Sequence, residues 1–538
     1  MYSKTVLVNG RIHTPQGTAE ALLIEGGMIS RTGGISDILP QREAAFVDLK
    51  GRAVFPGFAD SHMHFMSWMQ SQETLKLGDC RSIQHFCAAL AAYVEERPLP
   101  ENEWYRGRGW NHARMADGRL PNRHDIDGIV PRNPVLLTRV CGHVALLNTA
   151  ALNVLGVTRN TRVEGGSFET DSSGELSGIV TEGAISWVQA RMPKLRDDDA
   201  FRLLDEYSPL AASFGLTQLN TDDMGAFDHD FRRLIAFYTG AEHEGRLLFR
   251  VRQQFLLPEP EDLLAFLAEG LRTGDGTPLY QIGPVKLLTD GSLGGRTAFL
   301  RRDYEDTPGK RGMPLYDPHK LNEMVRIAHS SGMQVAAHAI GDGALDMCLD
   351  AFEAAQAAYP NTTRHIVIHA QVADDRQLDR MKNLHVGAAV QPCFVPSDRE
   401  MAIAGLGEEK AMASYRWKSM MRRGIVLSGG SDAPVEDLRP LTGIHAAITR
   451  QDPDGEPEGG WVPDERLSVA EAVALYTWGG AWHGGNERRR GELREGQDAD
   501  LVVLDEDPFL VSPADIRDIT VAMTMCSGRI TWRSPSFE

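Results

Sequence analysis

Eight short β-like runs, most of them followed by a helical pattern, constrain this chain more than any other feature. Alternating strands and helices build a parallel sheet, and eight such units close it into a (β/α)8 TIM barrel of the α/β class. The runs fall near residues 53 to 62, 216 to 222, 247 to 254, 284 to 289, 334 to 338, 366 to 370, 386 to 391 and 426 to 431. In such a barrel the chemistry is done at the carboxyl ends of the strands. The residues that close these runs are therefore the candidates for function.

Two departures from the repeat shape the expected domain plan. Roughly 150 residues separate the first two runs, where an ordinary connection needs only a few. Residues 66–205 are accordingly read as an insertion that roofs the pocket, with strand-like runs at 135–140 and Ile179-Val180, polar turns at 164–166 and 171–174, and a helical stretch from about Asp197 to Phe214. A shorter segment rich in charge, Gly and Pro, residues 304–317, is expected to form a mobile loop after the fourth strand. Residues 1–56 and 486–538 read instead as short strands and turns, including a strand at 5–8 ahead of an Asn9-Gly10 turn. Strands need partners and domain ends lie close together, so the termini are expected to pair in a small β-sandwich domain, leaving 57–485 to the barrel.

Composition narrows the partners. At 24% charged and 42% hydrophobic residues the 538-residue chain has the profile of a folded protein. A net charge of −18 repels nucleic acid and anionic membranes, which leaves a small-molecule substrate as the expected partner; a homodimer is compatible with the same surface. The six cysteines (Cys80, Cys87, Cys141, Cys348, Cys393, Cys526) are scattered and read as reduced thiols. No run approaches the ~18 apolar residues of a membrane span, and no charged n-region with an apolar h-region opens the chain, so the expected location is cytoplasmic. No phosphate loop or Gly-x-Gly-x-x-Gly fingerprint calls for a nucleotide cofactor.

Asp60-Ser61-His62-Met63-His64 closes the first run, and histidines at i and i+2 project from one strand face, able to grip one metal ion. In a chain with 17 His this pair alone is a weak signal. Its weight comes from downstream. His338, after Val335-Ala336-Ala337, and His369, after Ile366-Val367-Ile368, each end an apolar run and supply a second pair. Asp432, in Ser431-Asp432-Ala433-Pro434, suits a carboxylate ligand and proton carrier. Imidazole and carboxylate are the donors a divalent ion takes, with zinc, as one or two ions, the expected cofactor. Lys286 stands in an otherwise buried run, where desolvation and nearby cations favour the neutral amine. A neutral amine can add carbon dioxide, and the resulting carbamate can bridge two metals. The equal alternative is an ammonium paired with Asp290 or Asp342.

These residues together resemble the amidohydrolase superfamily, and within it amidohydrolase family 3, the branch that includes N-substituted formamide deformylases. The resemblance covers nearly the whole chain. It rests on Pro56-Gly57-Phe58-Ala59-Asp60-Ser61-His62-Met63-His64, Cys141-Gly142-His143-Val144-Ala145, Lys286 through Asp290-Gly291-Ser292-Leu293-Gly294-Gly295-Arg296-Thr297-Ala298, His338-Ala339-Ile340-Gly341-Asp342, His369-Ala370-Gln371 and Ser431-Asp432-Ala433-Pro434. It implies the barrel with a terminal β-sandwich, His62 and His64 on one metal, His338 and His369 on the other, and carbamylated Lys286 between them. It also implies substrate contact by His143. Arg296 is read either as a substrate clamp or as a structural one, and Trp110 either as a pocket wall or as a core residue. The expected activity is hydrolysis of a C–N bond in an amide or N-substituted formamide by metal-activated water. A deaminase or cyclic amidase on the same scaffold is the first alternative, and an inactive regulatory or binding protein the second.

Overall fold

The computed structural model describes residues 4–38 and 44–537. The chain divides into two compact units, one running to Trp68 and resuming at Asp197, the other spanning Met69–Arg196.

The first unit is built around eight parallel strands, β1 (Phe58–Met63), β2 (Leu216–Thr221), β3 (Arg250–Leu256), β4 (Tyr280–Leu288), β5 (Val335–Ala339), β6 (Ile366–His369), β7 (Gly387–Val390) and β8 (Leu427–Gly429), each paired with its neighbour in chain order. β1, β2, β6 and β7 are buried at every position, as expected of parallel strands covered on both faces. Helices follow in the barrel manner and several starts are encoded locally. Asp317 caps Pro318–Ser330 with proline in the first turn, and Asp374 with Gln377 forms a capping box on Asp375–Asn383.

No ladder joins β8 to β1, and the ring is closed by other bonds. The Asp432 amide donates to the His62 carbonyl at 2.8 Å and the His64 amide to the Ala433 carbonyl at 2.8 Å. The buried Asp60 carboxylate accepts from the amides of His62 and Ser431, both at 3.0 Å. Gly430 permits this approach, since a Cβ there would lie 2.8 Å from the His62 nitrogen.

The expected first run, residues 53 to 62, is two strands and not one. Ala53–Pro56 belongs to the terminal sheet and pairs antiparallel with Leu501–Leu504, while β1 begins at Phe58. Gly57 is the crossing point: its amide donates to the Asp500 carbonyl at 2.9 Å, and a Cβ would stand 2.3 Å from the Thr217 side chain. The terminal sheet runs in the order Arg529–Arg533, Val521–Cys526, Leu501–Leu504, Ala53–Pro56, Lys4–Thr14, Gly17–Glu25, Met28–Gly33, with Ala44–Asp48 parallel to Lys4–Thr14. Asn9-Gly10 is not a hairpin turn. Lys4–Thr14 continues through it with a bulge between Val8 and Ile12, and the chain reverses only before Gly17.

A buried ionic clamp ties the foot of the barrel to this sheet. Arg250, at the start of β3, donates to Asp500 at 2.8 Å, to Asp498 at 3.1 Å, to the Ser527 hydroxyl at 2.7 Å and to the Pro278 carbonyl at 2.6 Å. Arg490 adds a second bond to Asp498 at 3.0 Å. The segment expected as a mobile loop, residues 304–317, is tied down by Tyr304, whose hydroxyl donates to the Ala298 carbonyl at 2.8 Å and whose amide donates to the Lys310 carbonyl at 2.7 Å.

At the amino ends of the barrel strands His365 and His329 form a neutral relay. The Val335 amide donates to His365 Nδ1 at 3.1 Å, His365 Nε2–H donates to His329 Nδ1 at 2.9 Å, and His329 Nε2–H donates to the Tyr359 carbonyl at 2.9 Å. Burial, and then His329, push the His365 imidazole down to about 3 from 6.5. Between those values the unfolded chain binds a proton that the folded chain refuses, so stability falls as pH falls. His483, which burial also holds at about 3, adds to the same slope. Each group contributes about 1.4 kcal/mol per pH unit across that window. Denaturant midpoints measured from pH 7 to pH 4 should therefore decline, and a His365→Gln variant should decline less steeply.

The second unit is a six-stranded sheet in the order Gly166–Thr170, Leu176–Glu182, Val144–Leu147, Val135–Arg139, Tyr105–Trp110, Leu75–Lys76. Alternation along Val135–Arg139 sends Leu137 to one apolar cluster, with Phe86 and Trp110, and Leu136 to the other, with Val180 and Ile185. Among the described residues no helix is long and apolar enough to cross a membrane.

Candidate metal centre

The carboxyl ends of the barrel strands bring six of the expected side chains together. β1 delivers His62 and, just beyond its end, His64; β4 delivers Lys286, β5 His338 and β6 His369, while Asp432 follows β8. Asp432 Oδ1 lies 3.4 Å from His62 Nε2 and 3.4 Å from His64 Nε2. The ligand atoms of these three residues all fall within 4.8 Å of one another. Lys286 Nζ stands 3.1 Å from His62 Nε2, and His338 Nδ1 stands 3.1 Å from His369 Nε2. The His62 and His369 rings, 6.0 Å apart edge to face, join the two pairs.

The outward hydrogen bonds determine which ring nitrogen carries a proton. His64 Nδ1 faces the Asp222 carbonyl at 2.9 Å, and a carbonyl only accepts, so Nδ1 carries a proton, while Nε2 faces the Asp432 carboxylate. His338 is reversed: its Nε2 faces the Gly291 carbonyl at 3.2 Å and Asp290 Oδ1 at 3.3 Å, so Nε2 carries a proton and the neutral ring has its bare nitrogen at Nδ1. His62 Nδ1 donates to Gln254 Oε1 at 3.0 Å and His369 Nδ1 to Gln391 Oε1 at 2.7 Å. In the neutral form of each ring, the nitrogen without a proton is the inward one.

The electrostatics separate His64 from His62 and His369. Burial, Lys286 and the neighbouring histidines hold His62 well below its ordinary value, and burial followed by His338 does the same to His369. Burial opposes a proton on His64, yet the Asp432 hydrogen bond and the field of Asp222 raise it to about 9. Burial would raise the Asp432 carboxyl, but the His64 hydrogen bond and the surrounding imidazoles hold it well below the usual carboxylate range. Burial lowers the Lys286 amine to about 8, against the pull of Asp222 and Asp432. Neither alternative partner engages Lys286: Asp290 accepts from the amides of Phe299, Ile340 and Gly341, and Asp342 pairs with Lys410 at 2.8 Å.

Two of the three residues expected to contact substrate are engaged elsewhere. Trp110 is a core residue of the second unit and not a pocket wall: it is fully buried, its indole N–H donates to the Leu137 carbonyl at 2.9 Å, and it packs edge-on against Phe86. Arg296 is a structural clamp. Its guanidinium is spent on Asp306, with Nε 3.0 Å from both carboxylate oxygens, on the Leu293 carbonyl at 2.6 Å, and on the face of Tyr304. His143 lies in the second unit, half exposed, with Nδ1 2.9 Å from the Glu182 carboxylate. The residues that the sequence reading passed over are Gln254 and Gln391. The available signal was a polar side chain at the carboxyl end of β3 and directly after β7, two strands that otherwise bring nothing to the centre.

A parallel eight-stranded barrel with convergent imidazoles and a carboxylate at its strand ends defines a metal-dependent hydrolase. The amidohydrolase family matches residues 45–532, and this chain belongs to it. It is 34% identical over 518 residues to YtcJ of Bacillus subtilis (strain 168), a protein named as an amidohydrolase, covering 95% of this chain and 96% of that one. It is 25% identical over 548 residues to the N-substituted formamide deformylase of Arthrobacter pascens, covering 97% of each. Among solved structures, an uncharacterized metal-dependent hydrolase of Pyrococcus furiosus superposes with a TM-score of 0.77 at 30% identity, covering 94% of this chain and 99% of that one.

Proposed function

We propose that this protein hydrolyses the C–N bond of an amide or N-substituted formamide, with zinc held by His62, His64, His338, His369 and Asp432 and with Lys286 between the two histidine pairs. One observation carries the metal: the bare nitrogens of His338 and His369 face each other at 3.1 Å inside a buried site. Two unshared pairs at that distance repel unless a proton is shared between them or a metal ion takes both, and the adjoining donors of His62, His64 and Asp432 favour the metal. A single donor set of imidazoles and a carboxylate suits zinc. When bound, the ion supplies Lewis acidity, lowering the pKa of water and polarising the scissile carbonyl.

The chain's own residues supply the rest. Asp432, held ionised by its imidazole neighbours, accepts the proton that the attacking water gives up. It returns that proton to the nitrogen as the C–N bond breaks, because an amide anion is a very poor leaving group. Lys286, brought by burial to about 8, has a neutral amine available to add carbon dioxide at Nζ, releasing one proton and leaving an anionic carbamate beside the histidines. The likeness to an N-substituted formamide deformylase supports a formamide or amide as substrate.

Zinc-loaded protein assayed on a panel of N-substituted formamides, amides and cyclic amides should release amine and acid, and a chelator should abolish turnover. Release of ammonia alone would assign a deaminase instead. A metal-loaded protein inactive on the whole panel would overturn the reading in favour of a binding role. Incubation with 13C-bicarbonate should give a carbamate carbon signal that is lost in Lys286→Met.

A further inference from the structure

We infer that Gln254 and Gln391 are positioning residues that fix which nitrogen of His62 and His369 carries the proton, and so keep the inward nitrogen of each ring free to act as a donor. Histidines that bind a metal ordinarily give their second N–H to a carboxylate, a carbonyl or water. His64 uses the backbone carbonyl of Asp222, and His338 lies against the Gly291 carbonyl with Asp290 beside it. His62 and His369 alone depend on side-chain amides.

An amide can present either of its ends. Turned over, it would offer NH2 to Nδ1, the ring proton would move to Nε2, and the inward donor would be lost. A second bond on each glutamine prevents this. Gln254 Nε2 donates to the Ser61 carbonyl at 3.3 Å and Gln391 Nε2 to the Ala389 carbonyl at 3.1 Å. A backbone carbonyl cannot donate, so each amide is held with its oxygen toward the imidazole. Both glutamines are 3% exposed, which removes water as a substitute acceptor. The pattern repeats on opposite sides of the centre: a backbone carbonyl orients a glutamine, which orients a histidine. Because the amide is neutral it fixes the ring without adding charge, and the anionic groups facing the inward nitrogens are left to Asp432 and modified Lys286. A carboxylate in its place would hold the same proton position while making the imidazole a stronger base.

The consequence for ion binding rests on the metal-hydrolase reading, but the proton placement does not, and the two are read separately. Apoprotein labelled with 15N-histidine, with His369 assigned by the signal lost in His369→Asn, should show the Nδ1–H form in long-range 1H–15N spectra. Gln391→Leu should convert His369 to a mixture with the Nε2–H form while leaving His62 unchanged; Gln254→Leu should do the converse, and Gln391→Glu should restore Nδ1–H. Zinc affinity, measured by competition with a chelating dye, should fall about 10- to 100-fold in Gln391→Leu and return in Gln391→Glu. Retention of the Nδ1–H form in both leucine variants would overturn the assignment, as would failure of Gln391→Glu to restore it. If the wild-type chain takes up no zinc, the hydrolase reading falls while the spectra still decide the role of the glutamines.

Discussion

Asp432→Asn is expected to lower turnover by roughly a thousandfold or more, within the range that a positioned acid–base group contributes, while the protein keeps its zinc. The asparagine amide can still fill the space and accept a hydrogen bond, and the backbone bond from residue 432 to the His62 carbonyl at 2.8 Å is unaffected. What it lacks is the capacity to take and return a proton. Metal content by elemental analysis and turnover on the best substrate, measured on the same preparation, check this directly. Near-normal turnover would remove Asp432 from the proton path.

Asp500→Ala is expected to cost stability on a comparable scale, about 3–5 kcal/mol, because it leaves the Arg250 guanidinium buried with half of its countercharge gone. The Arg250 and Asp500 side chains are each 6% exposed, and Arg250 Nε to Asp500 Oδ2 is 2.8 Å. Urea midpoints of the zinc-loaded proteins measure the loss. A change under about 1 kcal/mol would mean that Asp498 and the Ser527 hydroxyl satisfy the guanidinium alone. A double variant that also replaces Arg250 with Met should recover part of the loss, since no unpaired charge remains.

The barrel and its centre were legible in the sequence because the same rule writes both. Parallel strands buried on two faces read as apolar runs, and a His, Lys or Asp that ends such a run stands out against them. His62, Lys286, His338 and His369 were visible for that reason. Asp432 lies beyond β8 and was visible through the small residues around it. Gln254 and Gln391 obey the rule as well, but glutamine is not a ligand type, so nothing in its chemistry drew attention. The split at Gly57 was hidden because the runs on either side are equally apolar, and only the partner strands, Leu501–Leu504 for one and β2 and its neighbours for the other, separate them. Trp110 and Arg296 illustrate the opposite failure. An aromatic ring or a guanidinium beside glycines fits a ligand wall and a packed interior equally well, and the choice is made by residues distant in sequence, Leu137 and Phe86 for Trp110 and Asp306 for Arg296.

The ring of strands is sealed at β8 and β1 by side-chain and loop bonds in place of a ladder, and that seam is also where His62, His64 and Asp432 meet. Any fluctuation that unzips the seam carries one half of the reactive constellation away from the other. Amide exchange at residue 432 and the onset of heat inactivation should thus track each other, with a bound cation acting as the rivet that slows both.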